Sequence, residues 1–362
     1  MSNPPAVLKF GGSSFRSPEA YADLARALSE RIAAERRPLA VVVSAMPGET
    51  ERLRERLQQV NPHPADPSVA GLLTMADTVS AHLLATALHR AGRRATVLAG
   101  SQLGLTTDST YMWARVREVD PAPLVGALAE HDVVVIPGGQ AVDAHNRPTW
   151  LGKNSSDLSA LLVAAVVGAG ECEIHSDVDG IYSADPNLVT GTRLLPAVSY
   201  EVATALSLHG AKVLHRRAVR LAQQHGIAIV CRHNRAPFPA GTTISAVGSP
   251  TEAVIVNRRS VVLGYQDDAQ ADLAHAAFHA QGVDTTRLEG APQVAVIGGY
   301  LDLEEFQRRH HLPPARVEGI PVCEVHGSRV TTHLAPDEYE AVVLAQRLHD
   351  DIAAPARRLT SV

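Results

Sequence analysis

Short apolar runs alternate with helical patterns along the first two-thirds of the chain, and most of those runs end in glycine or serine. Ala6–Phe10 leads into Gly11-Gly12-Ser13-Ser14, and Leu39–Val43 into Ser44-Ala45-Met46-Pro47-Gly48. Val133–Ile136 leads into Pro137-Gly138-Gly139, and Cys172–His175 into Ser176-Asp177. Further runs lie at Ala95–Leu98 and Ala228–Cys231. Between them, Pro18–Glu35 carries Tyr21, Leu24, Ala25, Leu28 and Ile32 at helical spacing behind a Ser17-Pro18 start. Helical patterns also cover Val69–Ala91, Ser156–Val167, Tyr200–Leu208 and Ala211–Gln224. Repeated βα units have few solutions. They predict an α/β fold with a mostly parallel sheet between helices, and ligands at the carboxyl ends of the strands, where the small-residue turns fall.

Around Pro237–Pro250 the composition turns to Pro, Gly, Thr and Ser, which sets the expected boundary between a domain of residues 1–245 and a region of residues 253–362. Beyond it the order is strand (Val261–Tyr265), helix (Ala271–Gln281), strands (Asp284–Leu288, Gln293–Ile297) and helix (Leu303–His310). Strands (Ile320–Val325, Arg329–His333) and a helix (Asp337–Asp351) complete it. That order predicts an α+β ferredoxin-like unit. A length of 362 residues fits two domains.

Composition excludes several classes. With 45% hydrophobic and 20% charged residues the chain is not disordered, and a net charge of −5 argues against a nucleic-acid-binding surface. Cys172, Cys231 and Cys323 lie too far apart in sequence for a disulfide framework or a zinc site. No unbroken apolar run nears the ~18 residues of a membrane span, and the first residues do not read as a signal peptide. The expectation is a cytoplasmic protein with no membrane partner. One count is sharper: lysine occurs only at 9, 153 and 212, against thirty arginines. Where arginine serves as the generic cation, a retained lysine points to a place that needs a compact charge on a flexible stem. All three lysines lie near glycine.

Lys9 followed by Gly11-Gly12-Ser13 at a helix start suits an anion, although a glycine pair at a strand end is also an ordinary turn. It is neither a Walker loop nor a dinucleotide fingerprint. Gly152-Lys153-Asn154-Ser155-Ser156-Asp157 opens a helix and can hold a second anion, or simply cap that helix. Asp177, Asp179 and Asp185 lack the spacing and terminal glutamate of a calcium loop, so no metal-ligating residues are expected.

Four segments together carry a resemblance: Lys9-Phe-Gly-Gly-Ser-Ser, Val42-Val-Ser-Ala-Met, Ser176-Asp-Val-Asp-Gly-Ile-Tyr-Ser-Ala-Asp-Pro and His209-Gly-Ala-Lys-Val-Leu-His-Arg-Arg-Ala-Val. In this order and spacing they resemble the aspartate kinases of the amino-acid-kinase superfamily over about residues 5–245. The remainder is similar to a shortened, divergent form of that family's ACT regulatory region. The resemblance implies ATP and Mg2+ as cosubstrates and transfer of a phosphoryl group to an amino-acid carboxylate, L-aspartate first. Such an acceptor is already ionised near neutral pH and needs no general base. The implied catalytic residues are Lys9, Asp157 and Lys212. Gly11, Gly12, Ser13, Ser176, Asp177, Tyr182 and Lys212 are implied at the ATP site. Ser44, Thr50, Asp77, Lys153, Asn154, Ser155 and Ser156 are implied at the acceptor site.

Departures from the family pattern matter too. Gly-Arg-Gly-Gly-Ser-Asp is here Gly152-Lys-Asn-Ser-Ser-Asp157, an acceptor-binding glutamate is Asp77, and Asn187 stands where an arginine often follows Asp-Pro. In the C-terminal region Asp267-Asp268-Ala269 replaces the Asp-x-Pro-Gly that opens ACT effector loops. That region is therefore expected to hold a homodimer together rather than to bind a feedback effector. Two other readings follow from the departures, a kinase for a different aspartate-like acid and a catalytically weak nucleotide-binding regulator.

Overall fold

The computed structural model describes residues 4–211, 214–281, 283–297 and 303–353. The chain forms two compact units: Met1–Gly180 with Arg217–Ala246, and Ile181–Arg216 with Val247–Val362. In the first unit a sheet runs in the order Ala240–Ser245, Ala228–His233, Glu171–Ser176, Ala6–Phe10, Leu39–Val43, Val133–Pro137, Ala95–Val97. Its strands are parallel except for the antiparallel hairpin of Ala228–His233 with Ala240–Ser245. Lys9 lies level with Val42 on one side and Ile174 on the other, so three strand ends and their turns come together at one edge. The strands read as unbroken apolar runs because helices cover both faces: Leu39–Val43 and Val133–Ile136 have no measurable exposure.

Helix Pro18–Glu35 buries the predicted Tyr21, Leu24, Ala25, Leu28 and Ile32 and ends where Arg36 turns left-handed, at φ 52°. The Asp66–Arg90 helix is long and apolar enough to cross a membrane by length and composition, with a mean hydropathy of 1.3 over its most apolar window. No unbroken run announces it, because Thr74, Asp77 and Ser80 interrupt the pattern. Those three are themselves buried, beside Leu73, Ala81, Leu84 and Leu88, and the Tyr21 and Ser80 hydroxyls pair at 2.9 Å. Unanticipated elements are small or polar. Helix Glu49–Val60 has no buried residue and so no apolar stripe, and Ala122–Glu130 is one short helix. Strands of three or four residues (Val116–Val119, Leu105–Thr107, Gln140–Asp143, Pro148–Trp150) make a second sheet.

In the second unit, Arg316–His326 pairs antiparallel with Glu252–Val256, Val261–Gly264 and Arg329–Ala335, and Gln293–Val296 joins Val261–Gly264 to Thr285–Arg287. Helix Asp268–Ala280 packs Ala271, Ala274 and Phe278 onto Leu263 and Val294, with Phe278 stacked on Phe306 at 4.7 Å. This is the ferredoxin-like arrangement the order predicts, with Glu252–Val256 as an added strand. Asp267 caps helix Asp268–Ala280, its carboxylate accepting the Gln270 N–H at 2.9 Å. The division in space also differs from a single cut near residue 245. Ile181–Arg216 belongs with the second unit: the Ser183 carbonyl accepts the Val254 N–H at 2.7 Å, and its hydroxyl pairs with His349 at 2.9 Å. Nothing in the composition near Gly180 marks that crossing.

A buried charge cluster braces the middle of the first unit. Glu173 accepts two bonds from Arg31, at 2.8 and 2.7 Å, and stands 3.0 Å from Arg232 Nε and 3.2 Å from His175 Nε2. Burial opposes ionisation of Glu173, but the bonds from His175 and Arg31 and the charges of Arg31 and Arg232 outweigh it, holding the carboxylate well below its usual range. Burial pushes His175 down, which favours the neutral ring, and the ring stacks on Phe10 at 4.3 Å. Breaking such a cluster leaves an uncompensated buried charge. Arg31→Met should therefore destabilise the protein by about 3 kcal/mol, read as a lower denaturant midpoint. The penalty should shrink as pH falls below about 4, where Glu173 can take a proton.

Candidate functional site

Lys9 is the only cation on its strand, and the sheet's register sends it among buried neighbours. Its Nζ lies 2.8 Å from Asp157 Oδ1, with side-chain exposures of 11% and 9%. Asp157 is in the first turn of helix Ser156–Val166, where a negative charge suits the helix dipole. A residue from the first strand and one from the fifth helix of the unit are thereby locked together, so this pairing of two sequence-predicted catalytic residues is present in the fold.

Around the pair the turns are built for close approach. Gly12–Ser14 forms one 3-10 turn, with the Ser14 and Phe15 amides bonded back to the Gly11 and Gly12 carbonyls at 2.9 Å. A Cβ on Gly12 would lie 2.7 Å from the Ala45 carbonyl oxygen, so only glycine lets this turn meet the 44–48 turn. Ser44 donates its hydroxyl to Ser156 at 2.9 Å, which links the second strand's end to the helix start. Ser155 donates to the Gly152 carbonyl at 2.5 Å. Gly152, at φ +110°, faces the Trp113 ring, which a Cβ would meet at 2.7 Å. Asn154 turns left-handed at φ 60°, a conformation that asparagine tolerates better than most residues.

The other predicted residues have contacts of their own. Asp77 is buried in helix Asp66–Arg90 and accepts the Ala45 N–H at 2.8 Å, which fixes the 44–48 turn from below. Lys153 is half-buried and pairs with Glu51 at 3.3 Å, and Thr50 lies half-buried in helix Glu49–Val60. Ser176 closes a turn with Val178, donating to its carbonyl at 3.0 Å and accepting its N–H at 3.1 Å. Asp177 is exposed, 3.7 Å from Arg16, and lines an open cavity together with Gly12 and Ser13. Tyr182 belongs to the second unit, where it bridges to Leu194. Lys212 lies outside the described residues.

Three residues at the site have no role readable from the sequence, although one of them, Arg217, lies within the fourth resembling segment. Arg217 donates to the Leu151 and Ala114 carbonyls, both at 3.1 Å, and so holds the segment leading to Lys153. Arg16 and Arg52 line an open cavity of about 590 Å³ together with Gly12, Ser13, Met46 and Glu49. A cluster of amides, hydroxyls and one buried lysine beside a cavity can hold an anion and stabilise negative charge in transit.

The sequence profile described as the Amino acid kinase family matches residues 4–233. The chain belongs to the amino acid kinase family. Among curated members, the aspartokinase of Mycobacterium tuberculosis is 38% identical over 245 residues, 67% of this chain and 57% of that protein. The chain thus spans little more than half the length of such relatives. The fold of this family member is also that of solved aspartokinases. The E. coli aspartokinase III structure, in complex with aspartate and ADP, superposes with a TM-score of 0.73 at 19% identity, covering 96% of this chain and 100% of that one. Synechocystis aspartate kinase gives a TM-score of 0.60 at 27% identity, with 89% and 60% covered.

Burial pushes the Asp77 carboxyl up to about 7, against the downward pull of the Ala45 N–H and of Lys9. The folded protein therefore holds a proton that the unfolded chain releases near the ordinary carboxylate value. Stability carried by this group is lost as pH rises through about 7. Asp77→Asn keeps an oxygen for the Ala45 N–H and removes the titration. Its Tm, compared with wild type, should improve between pH 5 and pH 8 by at least about 2 °C. A difference that stays constant over that range would contradict the buried, protonated carboxyl.

Proposed function

We propose that the chain is an ATP-dependent kinase that phosphorylates an amino-acid side-chain carboxylate, converting L-aspartate to 4-phospho-L-aspartate. The observation that carries this reading is the buried Lys9–Asp157 pair, set between the Gly11–Ser14 turn and the start of helix Ser156–Val166. Bringing a carboxylate up to a phosphoryl group means bringing two anions together. The chemistry asks for positioning and charge neutralisation, not for a proton acceptor. Lys9 supplies the charge, and Asp157 holds the ammonium in one orientation so that it need not reorganise as charge develops. The Gly12-Ser13 end of that turn lines an open cavity beside Arg16 and Arg52, which supports an anionic phosphate donor such as ATP. Among the described residues no three His, Cys, Asp or Glu side chains converge as a metal site. Mg2+ would enter with the nucleotide, as part of the substrate. The reading places the protein in the cytoplasm, with its nucleotide supply.

Aspartokinase relatives and the retained pair both weigh against a catalytically inert regulator. Lys9→Ala and Asp157→Asn should each lower kcat for aspartate-dependent ADP release by about a hundredfold. Thermal unfolding of the same samples separates lost chemistry from lost fold. Turnover near the wild-type rate in both variants would refute the assignment.

We also propose a homodimer held by the second unit. Its small antiparallel sheet has open edges, and Val317, Leu334, Tyr339 and Val343 are exposed apolar side chains on its strands and last helix. A second copy can cover both. Sedimentation should give a dimer at micromolar concentration, and Tyr339→Lys with Val343→Lys should shift it to monomer. A wild-type monomer would overturn this assignment.

A further inference from the structure

The end of strand Ala228–His233 carries a residue that no motif singles out. Asn234 donates its backbone N–H to the Ser176 carbonyl at 2.7 Å. Its side-chain Nδ2 donates to Ser13 Oγ at 3.0 Å and to Ser14 Oγ at 3.2 Å. A third strand end is thus tied to the same turn that Gly11 ties to His175, through the Gly11 N–H and His175 carbonyl at 3.0 Å.

The direction of the side-chain bonds has a chemical consequence. An amide NH2 has only hydrogens to give, while a hydroxyl both gives and accepts. With Asn234 donating, each serine oxygen is used as acceptor and its own proton turns away. Ser13 lines the cavity of about 590 Å³, beside Gly12 and Arg16, so its proton is free to point into that space. We propose that Asn234 is a positioning residue which sets the polarity of the Ser13 hydroxyl, presenting it as a hydrogen-bond donor to phosphate oxygens of the nucleotide. This rests on the phosphoryl-transfer reading above and adds a residue to it. Asn234 itself does not touch the nucleotide; it acts through Ser13.

Polarity gives the test a sign that a purely structural tie lacks. Aspartate is nearly isosteric with asparagine but only accepts when ionised. Asn234→Asp would draw the Ser13 proton onto itself and place a negative charge behind the turn. Asn234→Ala removes the bias and leaves the hydroxyl to rotate. Binding of ATP with Mg2+ is measured by calorimetry, with thermal unfolding of each sample alongside. Asn234→Ala should weaken binding about fivefold, and Asn234→Asp about a hundredfold, the scale of reversing a charge-assisted contact. In a Ser13→Ala background, Asn234→Ala should add less than twofold, because its partner is gone. Should Asn234→Ala fail to fold, the Asp variant against wild type carries the same test. Equal binding by the Asp and Ala variants, or fully additive losses with Ser13→Ala, would overturn the inference and leave the kinase reading standing. Wild-type protein that binds no ATP would overturn both.

Discussion

A lysine in the middle of a buried parallel sheet is a costly thing to fold, and its burial makes sense only because Asp157 meets it at 2.8 Å. Removing Asp157 takes this counter-charge from the Lys9 ammonium in a place with little water. The pair in turn fixes how the first strand sits against helix Ser156–Val166, and hence how the Gly11–Ser14 turn faces the start of that helix. Ser44 on Ser156 and Asp77 on the Ala45 amide then settle the second strand's turn against the same point. Each contact is modest alone. Together they hold two turns and one helix start around the Lys9 ammonium, which is what preorganised charge stabilisation requires.

Small side chains are the other condition. The turns can converge only where no Cβ intervenes, as at Gly12 under the Ala45 carbonyl and at Gly152 against Trp113. Behind them the Glu173 cluster, with Arg31, Arg232 and His175, braces strand Glu171–Ser176 from the opposite side of its pleat. The His175 main chain leads directly from that brace to Gly11. Rigidity at the brace and openness at the turns are thus built into neighbouring residues of one strand.

Much of this was legible in the sequence. Strands Ala6–Phe10 and Leu39–Val43 and helix Pro18–Glu35 have the bounds their apolar patterns predict, because in each case burial follows period. The rarity of lysine points to Lys9 before any geometry, and the family resemblance implies Asp157. Elements without an apolar stripe stayed hidden: helix Glu49–Val60 buries nothing, and the second small sheet is made of strands too short to show a period. For Asp77 the family resemblance implies an acceptor-binding acid; its bond to Ala45 depends on a contact 32 residues away that no local pattern encodes. The roles of Arg217 and Asn234 are hidden for the same reason, since each works through backbone or hydroxyl partners that only the folded chain brings near. The exchange of Ile181–Arg216 between the units is a matter of long-range contact as well.

The central claim is that the charges assembled around Lys9 serve transfer of a phosphoryl group to a carboxylate. The direct measurement is trapping: wild-type protein incubated with L-aspartate, Mg2+ and ATP labelled in its γ-phosphate, with hydroxylamine present to capture any acyl phosphate. Aspartyl hydroxamate is expected in step with ADP, dependent on all three reactants. ADP formed without hydroxamate, or label found on a phosphate or hydroxyl acceptor instead, would contradict it.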